Sequence, residues 1–119
     1  MVRWLVVVGV VAAALAGGAG VAGTEGDRRG GCERGELCVW VREGYRGGVR
    51  RVSLATVNAG ECVPLPVAGR SFANRMSRAV TVYQGAVCET EAEFDTYPGG
   101  GTYVPEAPFV VHAVQIWEG

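Results

Sequence analysis

An all-β sandwich of two Greek-key motifs, stapled by disulfides, is the fold that this sequence predicts, and three observations point to it. Past residue 22 no segment carries apolar residues at a 3.6-residue period; they fall in short alternating runs broken by Gly, Pro and Asn. The second half repeats the first. A shift of 43 places Tyr83 on Trp40, Cys88 on Tyr45 and Thr90 on Gly47, and a shift of 42 lays the stretch Pro66 to Asn74 over Pro108 to Ile116. Two units of about 40 residues, neither able to bury an apolar face alone, suggest paired Greek keys. The third observation is four cysteines, Cys32, Cys38, Cys62 and Cys88, in a chain whose core is small enough to gain from covalent staples.

The first 22 residues stand apart. A single charge at Arg3 precedes the apolar run Trp4 to Ala16, and small residues follow, with Gly20 and Ala22 suited to the −3 and −1 positions of a cleavage site. This pattern predicts a secretory signal peptide over residues 1–22; an uncleaved anchor is the competing reading, weakened by the glycine-rich end. The expected product is secreted and extracellular, with no membrane association after cleavage. Removing the segment takes one of the 11 basic residues and none of the 12 acidic ones, so the net charge of −1 moves further negative, against a nucleic-acid partner. Residues 23–31, GTEGDRRGG, have charge and glycine but no periodic apolar face and are expected to be disordered, leaving 32–119 as the folded domain.

The first predicted strand ends at Arg42 and places Trp40 on one face. A turn at Glu43 and Gly44 then returns Tyr45 toward it, and Gly47 is free to take a positive φ, so Trp40, Tyr45 and Gly47 form a structural corner. Val49 to Leu54 should pair with this strand as a hairpin. A turn at Asn58 to Gly60 leads to Cys62 to Pro66, whose prolines suit an edge. Ser71 to Asn74 is a short strand, and Ala79 to Tyr83 the clearest alternating one. The acids Glu89, Glu91, Glu93 and Asp95 recur at period two, which predicts one strand face carrying all four, a solvated outer face rather than a cation site. Pro98 to Gly101 is a turn, Pro105 and Pro108 bracket an irregular link, and Phe109 to Trp117 is the closing strand.

Export favours oxidation of the cysteines. Of the three connectivities, Cys32–Cys38, around Gly35, and Cys62–Cys88, joining the middle of the chain to its second half, are preferred. No CxxC pair occurs and the spacings do not fit a zinc ribbon, so no metal is expected. His112 is the sole histidine, expected to be packed or at a strand edge, and neither GxSxG nor HExxH is present. No catalytic residues and no cofactor are assigned; a glycosidase built on the acidic run lacks a partner carboxyl with a raised pKa.

The aromatic-x4-Tyr-x-Gly spacing of Trp40, Tyr45 and Gly47 resembles the βγ-crystallin Greek-key signature. Cys32 to Trp40, Leu65-Pro66 followed by Arg70 to Asn74, and Val80 to Tyr83, together with the cysteine frame, resemble the secreted actinobacterial peptidase inhibitors of family I36. The resemblance implies a βγ-crystallin-like domain, without enzymatic activity, that inhibits extracellular proteases, notably metalloproteases of the thermolysin type, and a monomer is expected. The second corner departs from the signature at Cys88 and Thr90. The paired Asp or Asn positions of calcium-binding βγ-crystallins fall on Pro66-Val67 and Pro108-Phe109, which supply no side-chain oxygens, so calcium sites are rejected.

An inhibitor of this kind presents a rigid loop. The candidate runs from Gln84 to Glu91, with Val87, Cys88 and Glu89 at its centre, anchored through Cys62. A thermolysin-like cleft prefers an apolar residue after the attacked bond, whereas Glu89 follows Cys88; Val87 or another loop is the alternative, and a mere connector is the competing reading. A second function class is a non-inhibitory βγ-crystallin-like binding or structural module using exposed Tyr97, Tyr103 and Trp117.

Overall fold

The computed structural model describes residues 31–118, so the expected signal peptide and all but the last residue of the 23–31 segment lie outside the described residues. Eight strands follow in chain order: β1 (Leu37–Arg42), β2 (Arg46–Val52), β3 (Cys62–Gly69), β4 (Ser71–Asn74), β5 (Val80–Tyr83), β6 (Phe94–Tyr97), β7 (Thr102–Val104) and β8 (Val111–Ile116). They form two antiparallel sheets, ordered β2-β1-β4-β7 and β3-β8-β5-β6. No helix among the described residues is long and apolar enough to cross a membrane.

Period-two alternation decides what lies between the sheets. Leu37, Val39, Val52 and Phe72 from the first sheet meet Val63, Val80, Val82, Val111, Val114 and Ile116 from the second, with Met76 closing one end. Each such aliphatic side chain contributes roughly 1.5–3 kcal/mol on full burial. The alternate residues of β1 and β4 face outward, yet they too are covered: Cys32, Cys38, Trp40, Tyr45 and Ala73 form a second buried cluster with Tyr103 against it.

The internal repeat is a repeat of structure down to the register. In the first unit Leu37 pairs with Asn74 and Trp40 with Ser71; in the second Val80 pairs with Ile116 and Tyr83 with Ala113. The shifts of 43 and 42 carry one set onto the other. β3 and β7 correspond as well, since Ala73 faces Tyr103 where Gln115 faces Cys62. Within each unit the second, first and fourth strands are neighbours, while the third, β3 or β7, lies at the edge of the other unit's sheet. This path is compatible with paired Greek keys that exchange one strand.

Several boundaries differ from expectation for identifiable reasons. β2 starts at Arg46, because the ladder resumes at Arg42↔Arg46 past an irregularity, and it ends before Leu54, where Thr56 N–H donates to Ser53 O at 3.0 Å. β3 runs on to Gly69; as an edge strand it tolerates Pro64 and Pro66. A Cβ on Gly69 would overlap Val39 Cγ1, so glycine lets β3 cross closely over β1. β5 is buried along its whole length instead of on one face. The expected acidic strand does not exist: only Asp95 lies in β6, and Glu89, Glu91 and Glu93 belong to the irregular connection before it. The sequence pattern predicts no strand at β7, which pairs with the edge of β4.

Candidate functional site

The two units each fold a corner after their first strand, and the corners are held by different chemistry. In the first, Glu43, Gly44 and Tyr45 turn the chain, with Gly44 at φ 73° and Tyr45 at φ 62°. Tyr45 N–H donates to Ser71 Oγ at 3.0 Å, and that hydroxyl donates to Arg42 O at 2.7 Å, so one buried serine fastens both sides of the turn. The Tyr45 ring meets Trp40 edge-on, with centroids 5.2 Å apart, and Tyr103 at 6.2 Å. Gly47 has φ 82°, and a Cβ there would sit 2.6 Å from Val41 Cγ2. Glycine is needed on both counts.

At the second corner Cys88 stands where Tyr45 stands in the first, and the backbone reproduces the correspondence: Cys88, at φ 61°, is the other non-glycine residue with positive φ among those described. The fastenings are replaced. Ala113 takes the place of Ser71 and offers no hydroxyl. Cys88 is instead bonded to Cys62, with Cα atoms 6.0 Å apart. Because Cys62 is the counterpart of Tyr103, this disulfide occupies the position that the Tyr45–Tyr103 ring contact occupies in the first unit.

The connection from Gln84 to Glu93 is consequently a closed loop. At its neck Gln84 N–H donates to Glu93 O at 2.9 Å, and Glu93 N–H donates to Gln84 Oε1 at 3.3 Å. His112 Nδ1 donates to Gln84 O at 2.7 Å. His112 is thus neither packed nor at a strand edge. Its ring is exposed on the central strand β8 and braces the loop. Tyr83 and Phe94 flank the neck with stacked rings, centroids 6.0 Å apart. Within the loop Val87 N–H donates to Glu89 Oε1 at 3.1 Å, and the Glu89 carboxyl group lies where a Cβ on Gly85 would be. Val87 itself is 70% exposed. The structure therefore places Val87, Cys88 and Glu89 together on one tethered turn, with Glu89 folded back and Val87 outward.

At the other end of the first sheet, Cys32 is bonded to Cys38, with Cα atoms 5.9 Å apart. Arg75 N–H donates to Glu36 O and Gly35 N–H to Arg75 O, each at 2.8 Å. Glu36 Oε1 accepts from Glu33 N–H at 3.0 Å and from Arg51 at 2.9 Å, and Arg51 also donates to Gly31 O. The Glu33 N–H, with Arg51 added, holds the Glu36 carboxyl below its usual range against the opposing effect of burial. Cys32, Glu36 and Cys38 are close enough to suggest a metal site, but the two sulfurs are joined to each other. A cleft of about 620 Å³ beside this loop is lined by Arg34, Arg75, Met76, Ser77, Tyr103 and three glycines; it offers two guanidinium groups but no histidine or carboxylate for acid–base chemistry.

Of the aromatics expected to be exposed, Tyr97 packs on Phe72, with centroids 4.9 Å apart, and Tyr103 packs on Tyr45. Burial and the hydrogen bond to Asp95 push the Tyr97 hydroxyl up to about 12. Trp117 is 44% exposed, its indole N–H donating to Thr81 Oγ1. Sequence reasoning missed the Gly85–Glu89 contact and the His112 brace; the Gly at position 85 four residues before an acid was the one signal available for the former.

The model of one protein family, described as peptidase inhibitor family I36, matches residues 27–94. No curated protein and no solved structure matches the chain. The matched span covers the first unit, the Cys32–Cys38 loop and the Gln84 to Glu93 loop up to the start of β6.

Proposed function

Since that match spans more than half of its length, the chain belongs to peptidase inhibitor family I36, a family of inhibitors rather than enzymes, and from this premise we propose that it is a secreted inhibitor of extracellular metalloproteases of the thermolysin type. The loop from Gln84 to Glu91 carries the inhibition, with Val87, Cys88 and Glu89 at its centre. One observation carries this reading: the loop is closed at its neck and tied at its centre to a different strand, yet leaves a large apolar side chain in water. A loop already held in one conformation loses little ordering entropy on docking, about 0.5–1.5 kcal/mol less for each side chain already fixed. The same tethers resist the movement that turnover of the bound segment requires. Export rests on the charged, apolar and small-residue order of residues 1–22. The alternative binding module loses two of its three aromatic contacts, because Tyr97 and Tyr103 are packed against neighbours.

The test is a panel of secreted metallo- and serine proteases assayed with the purified protein. Slowing of thermolysin-type enzymes at micromolar inhibitor is expected. Inhibition of serine proteases alone would overturn the metalloprotease assignment, and slowing of none would overturn the inhibitor reading.

A further inference from the structure

Resting on the inhibitor reading, we infer that Val87 is the side chain received by the target protease's specificity pocket, and that Glu89 is a positioning residue that aims Val87 without meeting the protease. Val87 is the most exposed large apolar residue described, at 70%. A single exposed valine carries no meaning by itself. Here, however, the surrounding turn is built to expose it. The Glu89 carboxylate accepts the Val87 N–H at 3.1 Å and lies on Gly85, where any Cβ would overlap it. Cys88, between them, is fixed at φ 61° and bonded to Cys62. With the acid folded onto Gly85 and the sulfur turned toward β3, Val87 is the one of these three side chains left to project.

This arrangement removes the difficulty that the sequence raises. An apolar pocket that had to take Glu89 would desolvate a carboxylate without a partner, a prohibitive cost. With Glu89 capping its own loop, the pocket meets an isopropyl group. The required partner is a protease with an apolar pocket of branched-aliphatic size. The other exposed apolar residues fit less well. Val67, at 60%, lines a groove with Val41 and Val49 between β3 and the β1–β2 pair, and Phe94, at 49%, lies against the Tyr83 ring at the neck.

Inhibition constants of the full chain and four variants, measured against the proteases that the wild type inhibits, test the inference. Val87→Ala should weaken inhibition about 10-fold, the scale of lost methyl groups in an apolar pocket. Val87→Asp should weaken it about 100-fold or more, as loss of a hot spot does. Both should keep the wild-type melting temperature, because the side chain is in water. Glu89→Gln retains an acceptor for the Val87 N–H and should stay within about threefold, whereas Glu89→Ala should lose about 10-fold, mainly through faster dissociation. Val87→Asp remaining within about threefold of wild type, as an ordinary surface substitution would, overturns the assignment of Val87 and leaves the inhibitor reading standing. Glu89→Gln proving as damaging as Val87→Asp overturns the positioning role, since it would mean that the charge meets the protease. If the wild type inhibits nothing, the inhibitor reading fails and this inference fails with it.

Discussion

Ser71 and Ala113 show how much one hydroxyl can decide. They are equivalent by register, one opposite Trp40 and the other opposite Tyr83, yet only Ser71 can accept from a turn N–H and donate to a turn carbonyl. Ser71 is fully buried, so Ser71→Ala strands both backbone groups, and a loss of about 1–3 kcal/mol in chemical denaturation is expected. The second corner tolerates alanine because the Cys62–Cys88 bond holds the chain there. At this scale the sequence was only partly legible. The Trp40, Tyr45 and Gly47 spacing announces a corner through residue type alone. The inward turn of Glu89 does not, because a side chain's direction in an irregular loop depends on what it finds to touch, in this case Gly85 and the Val87 N–H. His112 is a similar case: Val111, Val114 and Ile116 take the core positions of β8, and the exposed His112 ring meets the loop at Gln84 O.

Strands with apolar residues on a buried face were legible as elements, and those without were not. Ser71–Asn74 was bounded as the structure has it and Val80–Tyr83 to within one residue, because Phe72, Val80 and Val82 sit on the core face of central strands. β7 has three half-buried residues beyond a glycine-rich turn, and its existence depends on β4 offering a free edge. The acidic run misled because period two also arises in chain that pairs with nothing; the loop's tethers delay pairing until Phe94 faces Tyr83. The turn from Pro98 to Gly101 belongs to this scale too. A Cβ on Gly99 would lie 2.5–2.8 Å from backbone atoms of Ser77 and Arg78, which cannot give way as a side chain can. Gly99→Ala should therefore destabilise the fold by about 1–3 kcal/mol through overpacking. Gly100→Ala, with open space but φ 93°, should cost about 1 kcal/mol through conformation alone. Thermal melts of the two variants distinguish clash from strain.

For the whole molecule, the repeat could be read from the sequence but the exchange of third strands could not. Shifts of 43 and 42 align like with like along the chain, whereas the sheet that a strand joins is settled by which edge is vacant. β3 leaves its own unit to pair with β8, and β7 leaves its unit to pair with β4. Each unit is therefore incomplete without the other, and unfolding should be a single cooperative transition. A peptide of residues 31–75 should show no β signature by circular dichroism, and a strand spectrum from it would contradict the interdependence argued from these pairings.

The bond between Cys62 and Cys88 has one more consequence, which concerns what happens after damage. A cut anywhere between Cys62 and Cys88 leaves both fragments joined through the two sulfurs, so a protease that nicks the Ala86 to Cys88 segment does not release the piece it has made. The new ends stay beside each other in the scaffold that held them, where rejoining competes with escape. Such a molecule keeps its mass, apart from one water, until a reductant is added, so its wear would be recorded only on a reducing gel.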